Sequence, residues 1–165
     1  MPSWKEASAK GFDFEKFVLE DINSKVLPLA YKNMKREDYS FYDIILFNGD
    51  FSKSSKTLEC KYDEMSYITG NICIEVGCNG RWSGLLITKA DYWLIADGET
   101  AYIIEKQRIH DCIVEHPETR YETFSVQQEG NITKEMNIYL IKKDIFAPYC
   151  SEISNINEIK YNCLL

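Results

Sequence analysis

The chain has 165 residues, 45% hydrophobic and 27% charged, which fits one folded domain and excludes a disordered polymer or two full domains. Its net charge of -7 argues against a non-specific nucleic-acid coat. No apolar run approaches the ~20 residues that span a bilayer, so no membrane partner is expected.

The start, Met1-Pro2-Ser3-Trp4-Lys5-Glu6, lacks an apolar signal segment, and a cytoplasmic location is expected. The charge is uneven. Residues 1–62 carry 10 Lys/Arg and 10 Asp/Glu, whereas residues 63–165 carry 9 and 16 and hold the whole excess.

Ser3 to about Ser24 reads as a helix, with capping-box spacing at Ser3 and Glu6 and an apolar stripe through Phe14, Phe17, Val18 and Ile22. Gly11 weakens it by about 1 kcal/mol. Glu15 sits at the edge of that stripe. Residues 41–47 read as a strand, Asn48-Gly49-Asp50 as a turn, and 56–62 as a second strand antiparallel to the first. Residues 71–76 make a third strand, and 83–90 a short helix. Residues 92–96 and 101–104 form a hairpin about Asp97-Gly98. A helix at 107–115 and a strand at 137–141 follow. Residues 117–130 carry no clear pattern, and an irregular tail is expected from about residue 148. The order gives a single α/β (α+β) domain over residues 1–165.

Six cysteines lie mostly in apolar runs, and buried free thiols are expected. Their spacing and the remote His110 and His116 do not suit zinc, and neither histidine has a nucleophile partner in a recognisable setting.

Glu59 and Lys61 alternate about Cys60, so a strand turns both to one face, read as wet, and buries Cys60 with Leu58 and Tyr62 on the other. Asp43, in the preceding strand beside Ile44, Ile45 and Leu46, needs a partner or an ion. Two carboxylates on adjacent strands repel unless a cation lies between them, and Mg²⁺ (or Mn²⁺) suits such oxygen ligands. Lys61 beside a metal-bound water would steer it or stabilise developing charge. E-x-K in a strand is by itself usually an ordinary solvated face.

Asp43 followed by Glu59-Cys60-Lys61 resembles the signature of the PD-(D/E)XK nuclease superfamily, with Tyr42 where the proline of the name often stands. The run from Thr69 to Val76 and the run Ser83 to Trp93, with its Thr88-Lys89-Ala90-Asp91-Tyr92-Trp93 stretch, are similar to small phage-type and Holliday-junction-resolvase-like members. The likeness spans roughly residues 10–105. It implies a restriction-endonuclease-like fold with a mixed central sheet flanked by helices. It implies that Asp43 and Glu59 are metal ligands, with a backbone carbonyl at the Glu59–Cys60 junction, that Lys61 is the catalytic lysine, and that Glu15 assists the metal. Glu75 is a further candidate.

The expected activity is a divalent-metal-dependent DNA nuclease acting on phosphodiester bonds, with branched or recombination intermediates as candidate substrates and a homodimer by analogy. Arg81, Ser83 and Lys89 are candidates for phosphate contact, Arg81 and Ser83 through a Gly80–Ser83 cradle. Ser83 as a plain helix cap and Lys89 as a solvated cation are the simpler alternatives. The rival function is a catalytically silent nucleic-acid-binding or DNA-mimicking inhibitory module on the same fold, favoured by the acidity.

Overall fold

The computed structural model describes residues 14–25, 30–32, 42–46, 56–128 and 132–164. The Ser3/Glu6 capping box, Gly11 and the Asn48-Gly49-Asp50 turn lie outside the described residues.

Helix α1 (Phe14–Lys25) leads into strands β1 (Ala30–Lys32), β2 (Ile44–Leu46) and β3 (Lys56–Tyr62). A short helix α2 (Glu64–Thr69) follows, capped by Asp63, whose Oδ1 accepts from the Ser66 amide, and closed by Gly70 at φ 73°. Then come β4 (Asn71–Cys78), β5 (Arg81–Trp82), a 3-10 turn (Gly84–Leu86), β6 (Tyr92–Ala96), β7 (Thr100–Glu105) and helix α3 (Lys106–Glu115). The chain ends with β8 (Arg120–Gln128), β9 (Ile132–Lys142), one turn of α4 (Lys143–Phe146), β10 (Glu152–Asn155) and 3-10 turns to Leu164. No helix among the described residues is long and apolar enough to cross a membrane.

The strands form two sheets. The first has six strands in the order β1-β2-β3-β6-β7-β10, antiparallel except for the parallel pair β3/β6. The second is antiparallel, in the order β5-β4-β9-β8. The α+β class is as expected, and β2/β3 are antiparallel as expected. The strand at 71–78 does not extend the first sheet; it belongs to the second.

Each face of the first sheet buries its own core. On one face, Leu58, Cys60, Leu94 and Ile103 pack under Phe14, Phe17, Val18 and Ile22 of α1. On the other, Trp93, Ile95, Tyr102 and Ile104 meet Ile72 and Ile74 of β4, Ile109 of α3 and Phe146. The parallel β3/β6 pair is tied at its start by Asp91, whose Oδ2 accepts from the Thr57 amide (2.9 Å) and hydroxyl (3.2 Å). The Asp97-Gly98 hairpin forms as expected, with Asp97 Oδ1 accepting from the amides of Glu99 and Thr100 and Gly98 at φ 99°. All six cysteines are free thiols; Cys60 and Cys112 are buried and the other four half-buried.

Three expectations are corrected. The helix at 83–90 shrinks to a 3-10 turn, because Thr88 Oγ1 takes the Ala90 amide and turns the chain into β6. Residues 120–128 form β8, and the late strand runs from 132 to 142. Much of that hairpin is solvent-exposed, so it lacks the polar/apolar alternation that marks a half-buried strand. The tail after residue 148 is not irregular filler: β10 completes the edge of the first sheet, and Ile156, Ile159, Tyr161 and Leu164 are buried in the α1 core. Its apolar side chains are spaced by 3-10 turns, which carry no helical or strand period.

That tail anchors α1 through a buried polar contact. Tyr161 donates its hydroxyl to Asp21 Oδ2 at 2.6 Å, and Lys25 Nζ reaches the same oxygen at 2.9 Å. Asp21 is only 5% exposed, so losing a donor strands a buried carboxylate. Tyr161→Phe should therefore destabilise the protein by about 1–3 kcal/mol, measured by urea unfolding; an unchanged midpoint would show that Lys25 alone satisfies Asp21.

Candidate active site between the two sheets

β3 turns Glu59 and Lys61 away from α1, as its alternation requires, but the face they enter is only partly open to water. Both side chains are half-buried, on the side occupied by the second core. The parallel register puts Glu59 beside Trp93. Lys61 Nζ sits 5.4 Å from the centroid of the fully buried Trp93 ring, a cation–π contact. Among the described residues Lys61 forms no ion pair.

Asp43 reaches Glu59 from the neighbouring strand. Its amide donates to the Leu58 carbonyl at 3.0 Å, and its Oδ2 accepts from the Cys60 amide at 2.7 Å. The carboxylate thus does the work of a strand carbonyl where β2 begins, and its two backbone contacts bracket Glu59.

Burial pushes the Glu59 carboxyl up from 4.5 to about 7, and the negative charge of Asp43 adds to the shift. The Lys61 ammonium opposes it, while Glu15 of α1 and Glu75 of β4 push further up. Four candidate residues, from α1, the β2 edge, β3 and β4, therefore act on the Glu59 carboxyl group.

Glu75 comes from the second sheet and is held there. Ser83 donates its hydroxyl to Glu75 Oε1 at 2.6 Å, and its amide bonds the Val76 carbonyl at 3.1 Å. Ser83 thus has both donors engaged with β4. It makes no side-chain cap. Gly84 at φ 51° lets the chain press against β4, since a Cβ there would lie 2.2 Å from the Glu75 carbonyl oxygen. Arg81 is exposed on β5, at the edge of the same sheet.

Lys89 does not join this group. It lines a separate groove of about 600 Å³ with Lys56, Tyr92 and Lys106. Lys56 and Tyr92 share the Leu58 face of the first sheet, opposite to Glu59. The Thr88–Trp93 stretch instead works as a staple, through Thr88, Asp91 and the Trp93 ring beneath Lys61.

Sequence reasoning missed Asp63, Cys73 and Met136, which line a cavity of about 170 Å³ with Lys61 and Glu75. Burial raises the Asp63 carboxyl and takes the Cys73 thiol to about 11, which makes Cys73 an inert wall. The signal for Asp63 was present: Glu59, Lys61 and Asp63 continue one alternation. Cys73 and Met136 are set by strand pairing alone.

Among the described residues no group of three His, Cys, Asp or Glu is placed to hold a metal ion. A closed site built wholly from protein ligands therefore does not fit. A hard cation held by one or two carboxylates and otherwise by water does fit. Burial first and the carboxylates of Asp43, Glu15 and Glu75 next disfavour the Glu59 charge, which a divalent cation would relieve. Comparison with known proteins gives no match to a family model, a curated protein or a solved structure.

Two predictions follow from this packing. The native state holds the Glu59 proton to a higher pH than the unfolded chain, so stability falls as pH rises from about 4.5 to about 7. The shift bounds the loss at about 3 kcal/mol. Glu59→Gln should remove that part of the pH dependence and raise the urea midpoint at pH 8 relative to wild type; equal midpoints at pH 5 and pH 8 for both proteins would contradict the buried charge. Gly84→Ala should lower the melting temperature measurably, through both the positive φ and the clash with the Glu75 carbonyl, and a melting curve identical to wild type would refute the close approach.

Proposed function

We propose that this protein is a divalent-metal-dependent deoxyribonuclease of the PD-(D/E)XK type. The observation that carries the reading is the convergence of Asp43, Glu59 and Lys61 from adjacent strands, with Glu15 and Glu75 acting on the same carboxyl. A mixed sheet with flanking helices agrees with the restriction-endonuclease-like architecture that the sequence resemblance implies.

Asp43 and Glu59 would hold Mg²⁺ or Mn²⁺, with Glu15 and Glu75 near enough to add to its attraction. When bound, the cation supplies a polarised phosphate and an acidified water for in-line displacement. The chain's own residues do the rest. Asp43 keeps one oxygen on the Cys60 amide and so fixes its other oxygen relative to Glu59. Trp93 holds the Lys61 ammonium, with no carboxylate neutralising it within ion-pair reach among the described residues. Lys61 is then available to donate to a phosphate oxygen or to the attacking water, where negative charge grows. Ser83 fixes Glu75 on the far wall.

The net charge of -7 favours a second reading, a silent module that binds nucleic acid or mimics it. Metal titration by calorimetry separates the two, because a silent module should show no Mg²⁺ or Mn²⁺ binding that Glu59→Gln abolishes.

The central test is cleavage of labelled branched, single-stranded and linear DNAs with Mg²⁺ or Mn²⁺. Asp43→Asn keeps an acceptor for the Cys60 amide, and Glu59→Gln keeps the shape of the buried side chain. Each should lower cleavage by about a thousandfold or more, as should Lys61→Ala, on the scale of losing an electrostatic group from an active site. Their folds, checked by circular dichroism, should be intact. Cleavage by the carboxylate variants at the wild-type rate would overturn the nuclease reading.

A further inference from the structure

We infer that one face of the four-stranded sheet is a docking platform for unpaired nucleotides of DNA, continuous with the candidate active site. The inference rests on the nuclease reading of Glu59 and its neighbours. The strand registers carry it. Arg81 pairs with Cys78, Cys78 with Met136, and Met136 with Phe124. Directly opposed residues of antiparallel strands share a face, so these four form one row across β5-β4-β9-β8. Lys134, two residues from Met136 on β9, lies on the same face.

The row joins the site through Met136, which lines the 170 Å³ cavity together with Lys61 and Glu75. Glu75 itself stands in the next row, opposite Ile138, on the same face as Met136. The platform therefore starts at the wall of the site and runs outward along the sheet.

Its chemistry is opposite in sign to that of the chain as a whole. Arg81 is exposed at one end of the row and Phe124 at the other, with Lys134 half-buried beyond. Neither Arg81 nor Lys134 is ion-paired with a described residue. The acids on this face are already engaged: Glu122 is paired with Arg120, and Glu75 accepts from Ser83. An acidic protein thus presents two cations that no described residue pairs, and an exposed aromatic ring, beside its carboxylate site. That combination suits a strand whose phosphates meet the cations and whose base covers the ring. Duplex bases are already stacked on one another and offer Phe124 no free face, so unpaired nucleotides are the occupant.

The test uses fluorescence anisotropy of wild-type protein in EDTA with two DNAs, a blunt duplex and the same duplex carrying a single-stranded tail, alongside cleavage of both in Mg²⁺. Wild type should bind the tailed DNA at least about tenfold more tightly. Phe124→Leu keeps an apolar side chain but removes the stacking face, and should lose about tenfold on the tailed DNA and less than twofold on the blunt one. Phe124→Tyr should restore binding. Arg81→Gln with Lys134→Gln should weaken tailed binding and reduce its salt slope by about 1.4, the value for two phosphate contacts on a single strand. Equal wild-type affinity for the two DNAs overturns the platform, as does tailed-DNA binding that these variants leave unchanged. If wild type also cuts DNA in those cases, the nuclease reading survives without the platform. A wild-type protein that neither binds nor cuts either DNA overturns both.

Discussion

The centre of this molecule is a carboxyl group in a place that does not favour its charge. Glu59 lies half-buried on the face of the first sheet that carries the second core, with Trp93 beside it in the parallel register and three further carboxylates acting on it. An apolar residue there would serve folding better, since a buried and poorly compensated charge costs stability. The surrounding structure carries that cost. The α1 core, the tail that closes it and the second core beneath β4 are tightly filled with apolar side chains.

The second sheet explains how the site is enclosed. A first sheet alone would leave Glu59 and Lys61 on a solvated face, where two charges on one strand have little consequence. The β4 layer removes that solvent and adds Glu75, which Ser83 and the close approach at Gly84 hold in place. The same layer continues outward as a sheet face with Arg81 and Phe124 in one row. Enclosure of the carboxylates and presentation of a cationic, aromatic surface are thus two ends of one structural element. The net charge of the chain is an average that local pairing does not respect, so an acidic chain can carry a locally cationic face.

Much was legible along the chain. The alternation Leu58-Glu59-Cys60-Lys61 assigned opposite faces to its residues, and the burial of Leu58 and Cys60 follows it. The antiparallel pairing of residues 44–46 with 56–58, the Asp97-Gly98 hairpin and the helix at 106–115 were also readable, because each depends on neighbours in sequence. Ser83 was less so: its place before a turn suggested a cap or an anion contact, while its hydroxyl reaches back eight residues to Glu75. Strand β8, the first half of β9 and the tail escaped notice, having no period that contrasts a wet side with a dry one.

The sequence alone determined the residue types and local periods, and with them the α+β class, the strand that carries Glu59 and Lys61, and the candidate carboxylates. Only the tertiary structure decided that β4 belongs to the second sheet, that Lys89 lines a groove apart from Glu59, and that Asp63, Cys73 and Met136 complete the wall around Lys61. The physical reason is range. Backbone period and turn chemistry act over a few residues, whereas desolvation and charge coupling depend on which distant segments the folded chain brings together.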